Sequence, residues 1–296
     1  MTCSIRSFFL SGLACRRGVG WIYNKATDIL ASQEKAMGTA NMQGQMWGAR
    51  ARDWADVQER VAIPLYAEVL RKMGIGAGMA VLDIGCGSGI FCEMAAKLGA
   101  KVSGIDAAET LIAIAGERVP DGDFRVGEME VLPYEDRAFD VVTGFSSFQF
   151  AANPAHAVRE ASRISRTGTV VIGVFGKPAD SESTVYIAAM GSLLPPPPPN
   201  APGPFALSAD GALEDLAQQA GLTPHLIETV ACPWEYPDES TALRGLLSAG
   251  PAIRAIQVKG EDVVRDAILS ALAPFKTRSG GYHLSNSFRY MIATAQ

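Results

Sequence analysis

Charge is scarce in this chain, and none of it is concentrated. Of 296 residues only 19% are Asp, Glu, Lys or Arg, and 31 acids against 26 bases leave a formal net charge of −5. No Lys/Arg cluster could neutralise a phosphate backbone, which argues against nucleic acid as substrate or partner. Histidine is scarcer still, with three copies (His156, His225 and His283), and the five cysteines (Cys3, Cys15, Cys86, Cys92, Cys232) are odd in number and scattered. This is neither the ligand spacing of a metal site nor a disulfide framework, so no metal is expected, and reduced thiols and a cytoplasmic setting are. The apolar run over 8–14 is far too short to span a bilayer, and no membrane association is expected.

The first 27 residues also lack acids, although they carry Arg6, Arg16, Arg17 and Lys25. Three readings stand side by side: an organelle-targeting presequence, a weak secretion signal, or an upstream extension without a role, Met37 followed by glycine being a more ordinary start. Residues 1–36 are therefore set apart from the fold.

What is abundant is apolar patterning. With 48% hydrophobic residues, the chain can build a sizeable core in one enlarged α/β domain or two small ones. Over 46–73 apolar and aromatic residues recur at helical spacing, with Trp47 and Trp54, seven apart, on one face. This predicts a leading helical segment within 37–78. Residues 79–84 read as an apolar strand, followed by a glycine cluster and a helix whose stripe is Ile90, Phe91, Met94, Ala95 and Leu98. Strands follow over 101–105, 123–126, 139–144 and 169–175, with helices over 108–119 and from Asn153, as cap, and Pro154. Alternation of this kind implies a parallel sheet covered by helices on both faces.

Beyond residue 176 the regularity breaks. Seven of the 17 prolines fall within 195–204, which excludes a helix or central strand and leaves a stiff spacer over the sheet edge or a plain surface loop. Ser208 is expected to cap a helix carrying Leu213, Leu216, Ala217 and Ala220. A strand over 222–231, a largely helical stretch over 241–275 and a last strand over 286–294 complete the chain. The divisions are thus 37–78 as leading segment, 79–176 as ligand-binding core, 177–208 as a proline-rich cap segment, and 209–296 as the rest of the sheet with a helical cap over about 236–283.

The chemistry is concentrated in Val81-Leu82-Asp83-Ile84-Gly85-Cys86-Gly87-Ser88-Gly89-Ile90-Phe91, where strand meets helix. An open α/β sheet binds its ligand there, and glycines let the backbone approach closely with positive φ. A dinucleotide fingerprint needs its third glycine at position 90, which is Ile; the spacing here is Gly-x-Gly-x-Gly. These residues resemble the class I S-adenosylmethionine-dependent methyltransferase family, whose first motif reads Asp-x-Gly-x-Gly-x-Gly after a strand. The resemblance implies that Gly85, Gly87 and Gly89 pass under the methionine moiety of S-adenosylmethionine, with Asp83 near its ammonium group, an arrangement that would repel a pyrophosphate. Asp106 closes the next strand, about 20 residues on, where the family places its ribose acid. Gly127-Glu128-Met129-Glu130-Val131-Leu132-Pro133-Tyr134 is similar to the family's Gly-Asp-Ala-Glu-x-Leu-Pro-Phe. Glu128, a Glu in place of the more usual Asp, and Met129 thereby inherit the adenine contacts, and Ser146 joins the cofactor set. The implied fold is a doubly wound, mostly parallel seven-stranded α/β sheet with an antiparallel last strand and helical cap insertions.

Methyl transfer is a direct displacement, so alignment and exclusion of water are the main work. Where the acceptor needs a base, His283, ahead of the last strand, and His156, in the first turn of a helix, are the candidates; His225 lies at the far end of a strand and is structural. In Phe145-Ser146-Ser147-Phe148-Gln149-Phe150, the aromatics Phe148 and Phe150 are placed to stack on an acceptor and Gln149 to orient it, or the rings pack beneath the helix. A cap rich in Leu, Pro, Tyr and Trp suggests a small, largely apolar methyl acceptor. The rival readings are a non-catalytic cofactor-binding module and an NAD-dependent oxidoreductase.

Overall fold

The computed structural model describes residues 39–196 and 203–295. The targeting readings of residues 1–36 and the middle of the proline run lie outside the described residues.

Five parallel strands form the heart of the structure: β1 (Ala80–Ile84), β2 (Lys101–Asp106), β3 (Asp123–Val126), β4 (Val141–Phe145) and β5 (Thr169–Phe175). With β6 (Leu222–Ala231) and β9 (Ser287–Ala295) they make a seven-stranded sheet in the order β3-β2-β1-β4-β5-β9-β6. β9 runs antiparallel to both of its neighbours. The order reverses at β1, whose partners β2 and β4 lie on opposite sides; the crevice beyond the carboxyl ends of such strands is where open α/β sheets bind ligands.

β1, β4 and β5 are near-continuous apolar runs because both faces of the sheet are covered. One face packs against the helices Pro154–Ile164 and Ala212–Gln219, the other against Ile63–Lys72 and Ile90–Lys97. Leu82, Ile84, Val142 and Ile172 are fully withdrawn from water, each contributing about 1.5–3 kcal/mol. Asn153 caps Pro154–Ile164 as the sequence predicts, its side chain accepting the His156 N–H at 3.1 Å.

The departures lie outside this core. The leading segment is not one helix: Ala40–Gly48 is followed by a short turn, a π-helical stretch (Trp54–Gln58), a 3-10 turn (Glu59–Ala62) and Ile63–Lys72, which has Pro64 in its first turn. Ser208 does not cap Ala212–Gln219. Its hydroxyl donates to the Phe175 carbonyl instead, and Gly211, at φ +81°, precedes the helix. Residues 241–275 divide into Glu239–Ser248, Gly250–Lys259 and Glu261–Leu272 where Pro251 and Gly260 interrupt them. No local pattern announces the small sheet of β7 (Trp234–Tyr236) and β8 (Tyr282–Leu284) that brackets these helices, nor the helix Thr184–Ser192 packed against them. No helix among the described residues is long and apolar enough to cross a membrane.

Candidate active site

The loop after β1 turns through three left-handed glycines, Gly85 (φ +73°), Gly87 (φ +55°) and Gly89 (φ +80°), the last of which starts the helix Ile90–Lys97. Side chains there are excluded by space as well as by φ. A Cβ on Gly85 would run into Ser147, and one on Gly87 would lie 2.5 Å from Glu59 Oε1. Asp106, at the end of β2, fixes the loop from below: its Oδ2 accepts the Gly87 N–H at 2.9 Å and its Oδ1 the Ala108 N–H at 2.8 Å. Burial pushes the Asp106 carboxyl above its ordinary range, opposed by these backbone donors.

A cleft opens above this loop. Gly85, Gly87, Asp106, Glu128, Met129, Ser146, Gln149 and Phe150 all line it, so eight residues singled out from sequence meet at one place. Ser146 is one of two described non-glycine residues at positive φ (+50°), a strained conformation of the kind concentrated at functional sites. Its N–H donates to the Gly173 carbonyl at 2.7 Å, which holds the loop after β4 against β5.

Asp83, Gly89 and Phe148 stand behind the wall. Asp83 pairs in register with Thr143 on the neighbouring strand β4, and its carboxylate accepts the Thr143 hydroxyl at 2.8 Å. Buried there, it is pushed up to about 7, with Glu59 and Asp106 adding to the rise. Phe148 is fully buried against Gly144 and the core, which favours the packing alternative for this ring.

Neither candidate base lines the cleft. His283 belongs to β8, part of the cap rather than the lead-in to β9; it is half exposed, with Nδ1 3.3 Å from Glu235 Oε1. His156 is half exposed on the first turn of its helix, 3.9 Å from Glu130. The sequence placed His283 by the last strand alone, and the intervening β7–β8 pair moves it away.

The structure supplies an acid that was passed over. Glu59 lines the cleft while 5% exposed, its Oε1 accepting the Ser88 N–H at 2.9 Å and its Oε2 the Ser88 hydroxyl. Arg118 lies 3.4 Å away. Burial pushes Glu59 up to about 7, with the Ser88 bonds and Arg118 pulling the other way. Its sequence signal was legible: Glu59 sits four residues after Ala55 and three before Ala62, both buried, so it lies on the apolar stripe. Gln58 beside it accepts the Tyr236 hydroxyl at 2.8 Å, joining the leading segment to the cap. Trp234, Tyr186, Phe175 and Phe288 complete an aromatic wall the sequence could not assemble.

Among the described residues lining the cleft, Glu59, Asp106 and Glu128 are the acids, and there is no Lys, Arg or His. Such a set suits a cationic ligand and opposes a pyrophosphate. The glycine turn and the acid closing β2 stand together at the point where the strand order of the sheet reverses, the place where open α/β sheets bind ligands.

Residues 82–173 match the family described as Methyltransferase domain. The ubiquinone biosynthesis O-methyltransferase of Maricaulis maris is 40% identical over 100 residues, 32% of this chain and 39% of that protein. The chain thus spans about two-fifths of that relative's length. The malonyl-[acyl-carrier protein] O-methyltransferase of Serratia marcescens is 26% identical over 75% of this chain and 84% of its own length. Among solved structures, the YcgJ protein of Bacillus subtilis superposes with a TM-score of 0.54 at 17% identity, over 78% of this chain and 97% of that one. A putative methyltransferase of Bacillus halodurans gives 0.53 at 14%, over 77% and 97%. Likeness at that level concerns the fold.

Proposed function

We propose that this protein transfers a methyl group from S-adenosylmethionine to a small, largely apolar organic acceptor. The observation that carries the reading is the cleft over the loop Gly85-Cys86-Gly87-Ser88-Gly89, lined by acids and, among the described residues, by no Lys, Arg or His. The cofactor supplies an electrophilic methyl on a positive sulfur; the protein's residues do the rest. Asp106 would take the ribose hydroxyls, Glu128 and Met129 the adenine, and the glycine loop the methionine moiety. Glu59, in the same wall, offers its carboxylate to the ammonium group, the role that the family resemblance implies for Asp83. Asp83 instead sets the position of β1 against β4 through Thr143.

The leading segment excludes water. Gly44 packs so tightly on the Ala107 carbonyl that no side chain fits, and the Ala40 N–H donates to Glu128 at 3.0 Å. Enclosure of this kind strengthens each electrostatic contact inside the cleft and protects the methyl donor. Since neither His283 nor His156 reaches the cleft, alignment rather than a histidine base drives transfer in this reading.

Calorimetric titration with S-adenosylhomocysteine, followed by a screen of neutral phenols, amines and carboxylates for labelled methyl incorporation, tests it. Absence of nucleoside binding would overturn the cofactor assignment. Binding without turnover across the screen would favour a non-catalytic cofactor-binding module.

A further inference from the structure

We infer that the cap end of the cleft is built for a flat, uncharged acceptor bearing a hydrogen-bond-accepting oxygen, and that the indole N–H of Trp234 recognises that oxygen. This deepens the methyl-transfer reading and rests on it.

Trp234 lies on β7, in the cap, and lines the cleft while only 2% exposed. Its Nε1–H has no hydrogen-bond partner among the described residues. A buried donor left unmet costs free energy, and native proteins rarely tolerate one without a use for it. The neighbouring polar groups are already committed: the Tyr186 hydroxyl donates to the Leu246 carbonyl at 2.9 Å, and that of Tyr236 to Gln58. Gln149, in the same lining and 3% exposed, likewise has neither end of its amide satisfied among the described residues. An amide donates and accepts, so it suits a hydroxyl or a second oxygen on the same acceptor.

The aromatic walls beside Trp234 define the shape. Phe175 stacks on Phe288 with centroids 4.6 Å apart and planes 29° from parallel, and the Trp234 ring meets Phe175 at 6.5 Å and Tyr186 at 6.2 Å. Aromatic faces of this kind grip a planar molecule by stacking and edge contacts. Charge supplies the exclusion. An acceptor carrying a carboxylate would enter a cleft that already holds the acids Glu59, Asp106 and Glu128 on the cofactor side, with no Lys, Arg or His among the described lining residues to pair with it. Trp234 donates only, so it reads a carbonyl or ether oxygen and not an ammonium.

The test compares two bicyclic probes of similar size on protein saturated with S-adenosylhomocysteine, by calorimetry: 6-hydroxy-1-tetralone, a neutral phenol-ketone, and 6-hydroxy-2-naphthoate, its anionic counterpart. The tetralone is expected to bind at least about tenfold more tightly than the naphthoate. Trp234→Phe keeps the ring and deletes the N–H; it should weaken the tetralone by roughly three- to tenfold and leave S-adenosylhomocysteine affinity unchanged, which also verifies that the variant is folded. Equal affinity of the variant for the tetralone, tight binding of the naphthoate, or no tetralone binding to the wild-type protein would overturn the inference. Failure of S-adenosylhomocysteine itself to bind would instead overturn the cofactor reading, and the same comparison of wild type with Trp234→Phe would then be read on the free protein.

Discussion

The carboxylate of Glu59 holds both donors of Ser88, the backbone N–H at 2.9 Å and the side-chain hydroxyl. One residue comes from the 3-10 turn of the leading segment and the other from the glycine loop. The bond closes the leading segment onto the place where the loop hands over to the helix Ile90–Lys97. Three consequences can be measured.

Glu59→Ala strips two buried donors of their acceptor. Stability should fall by about 1–3 kcal/mol for the unmet donors, read as a lower midpoint in urea unfolding at unchanged slope. A variant as stable as the wild type would show that the Ser88 contact contributes nothing.

Glu59 and Asp83 both rise to about 7 in the folded protein through burial, from ordinary carboxyl values when unfolded. A raised folded value means that the native state binds the extra proton. This contribution to stability is complete below the unfolded values and is lost as pH climbs through about 7. Wild-type stability should therefore decline from this source as pH rises from about 4.5 to about 7 and level off above that, and Glu59→Gln should show a shallower decline over the same range.

A cation placed beside these acids favours their ionised forms, so affinity for S-adenosylmethionine should increase over the same pH range, with proton release on binding. Titrations in buffers of differing ionisation enthalpy read that release directly. Proton uptake would contradict the placement of the cation.

Asp106→Ala should weaken S-adenosylhomocysteine binding by about 1–3 kcal/mol, through the lost ribose acceptor and the slackened Gly87 N–H. Calorimetry gives the value, and unchanged binding would remove Asp106 from the ribose role.

Gly87→Ala places a methyl group 2.5 Å from Glu59 Oε1 at φ +55°. The left-handed strain alone costs about 1–2 kcal/mol, and displacement of Glu59 adds to it. The melting temperature and nucleoside affinity should fall together; a variant that binds normally would show the loop free to adjust.

His283→Asn and His156→Asn alter half-exposed side chains outside the cleft. Stability should stay within about 0.5 kcal/mol of wild type, and turnover of any acceptor identified in the screen should be unaffected. Loss of turnover in His283→Asn with nucleoside binding intact would return that residue to the site.

The succession of strands along the chain and the three glycines were legible because both depend on local rules: continuous apolar runs, helix-stop glycines, and a turn that tolerates no Cβ. Asp106, Glu128 and Met129 were reached through the family resemblance; Asp106 ends β2 and the other two follow β3, strand ends that a parallel sheet brings to one edge. Asp83 was assigned a ligand role by position in the motif, whereas its orientation depends on Thr143, 60 residues away and beside it only once β4 is paired to β1. The place of His283, on β8 and not among the residues lining the cleft, was not legible either, because the β7–β8 pair has no local signal beyond three residues on each side.

The sequence by itself therefore determined the sheet, its glycine turn and the acids at the strand ends, since those follow from interactions within a few residues. Only the tertiary structure decided that Glu59 faces the loop, that Trp234 joins the cleft from the cap, and that the histidines stand outside it. Those placements depend on packing between segments up to 178 residues apart, such as Gln58 with Tyr236, and a local pattern carries no information about what a distant segment will bring against it.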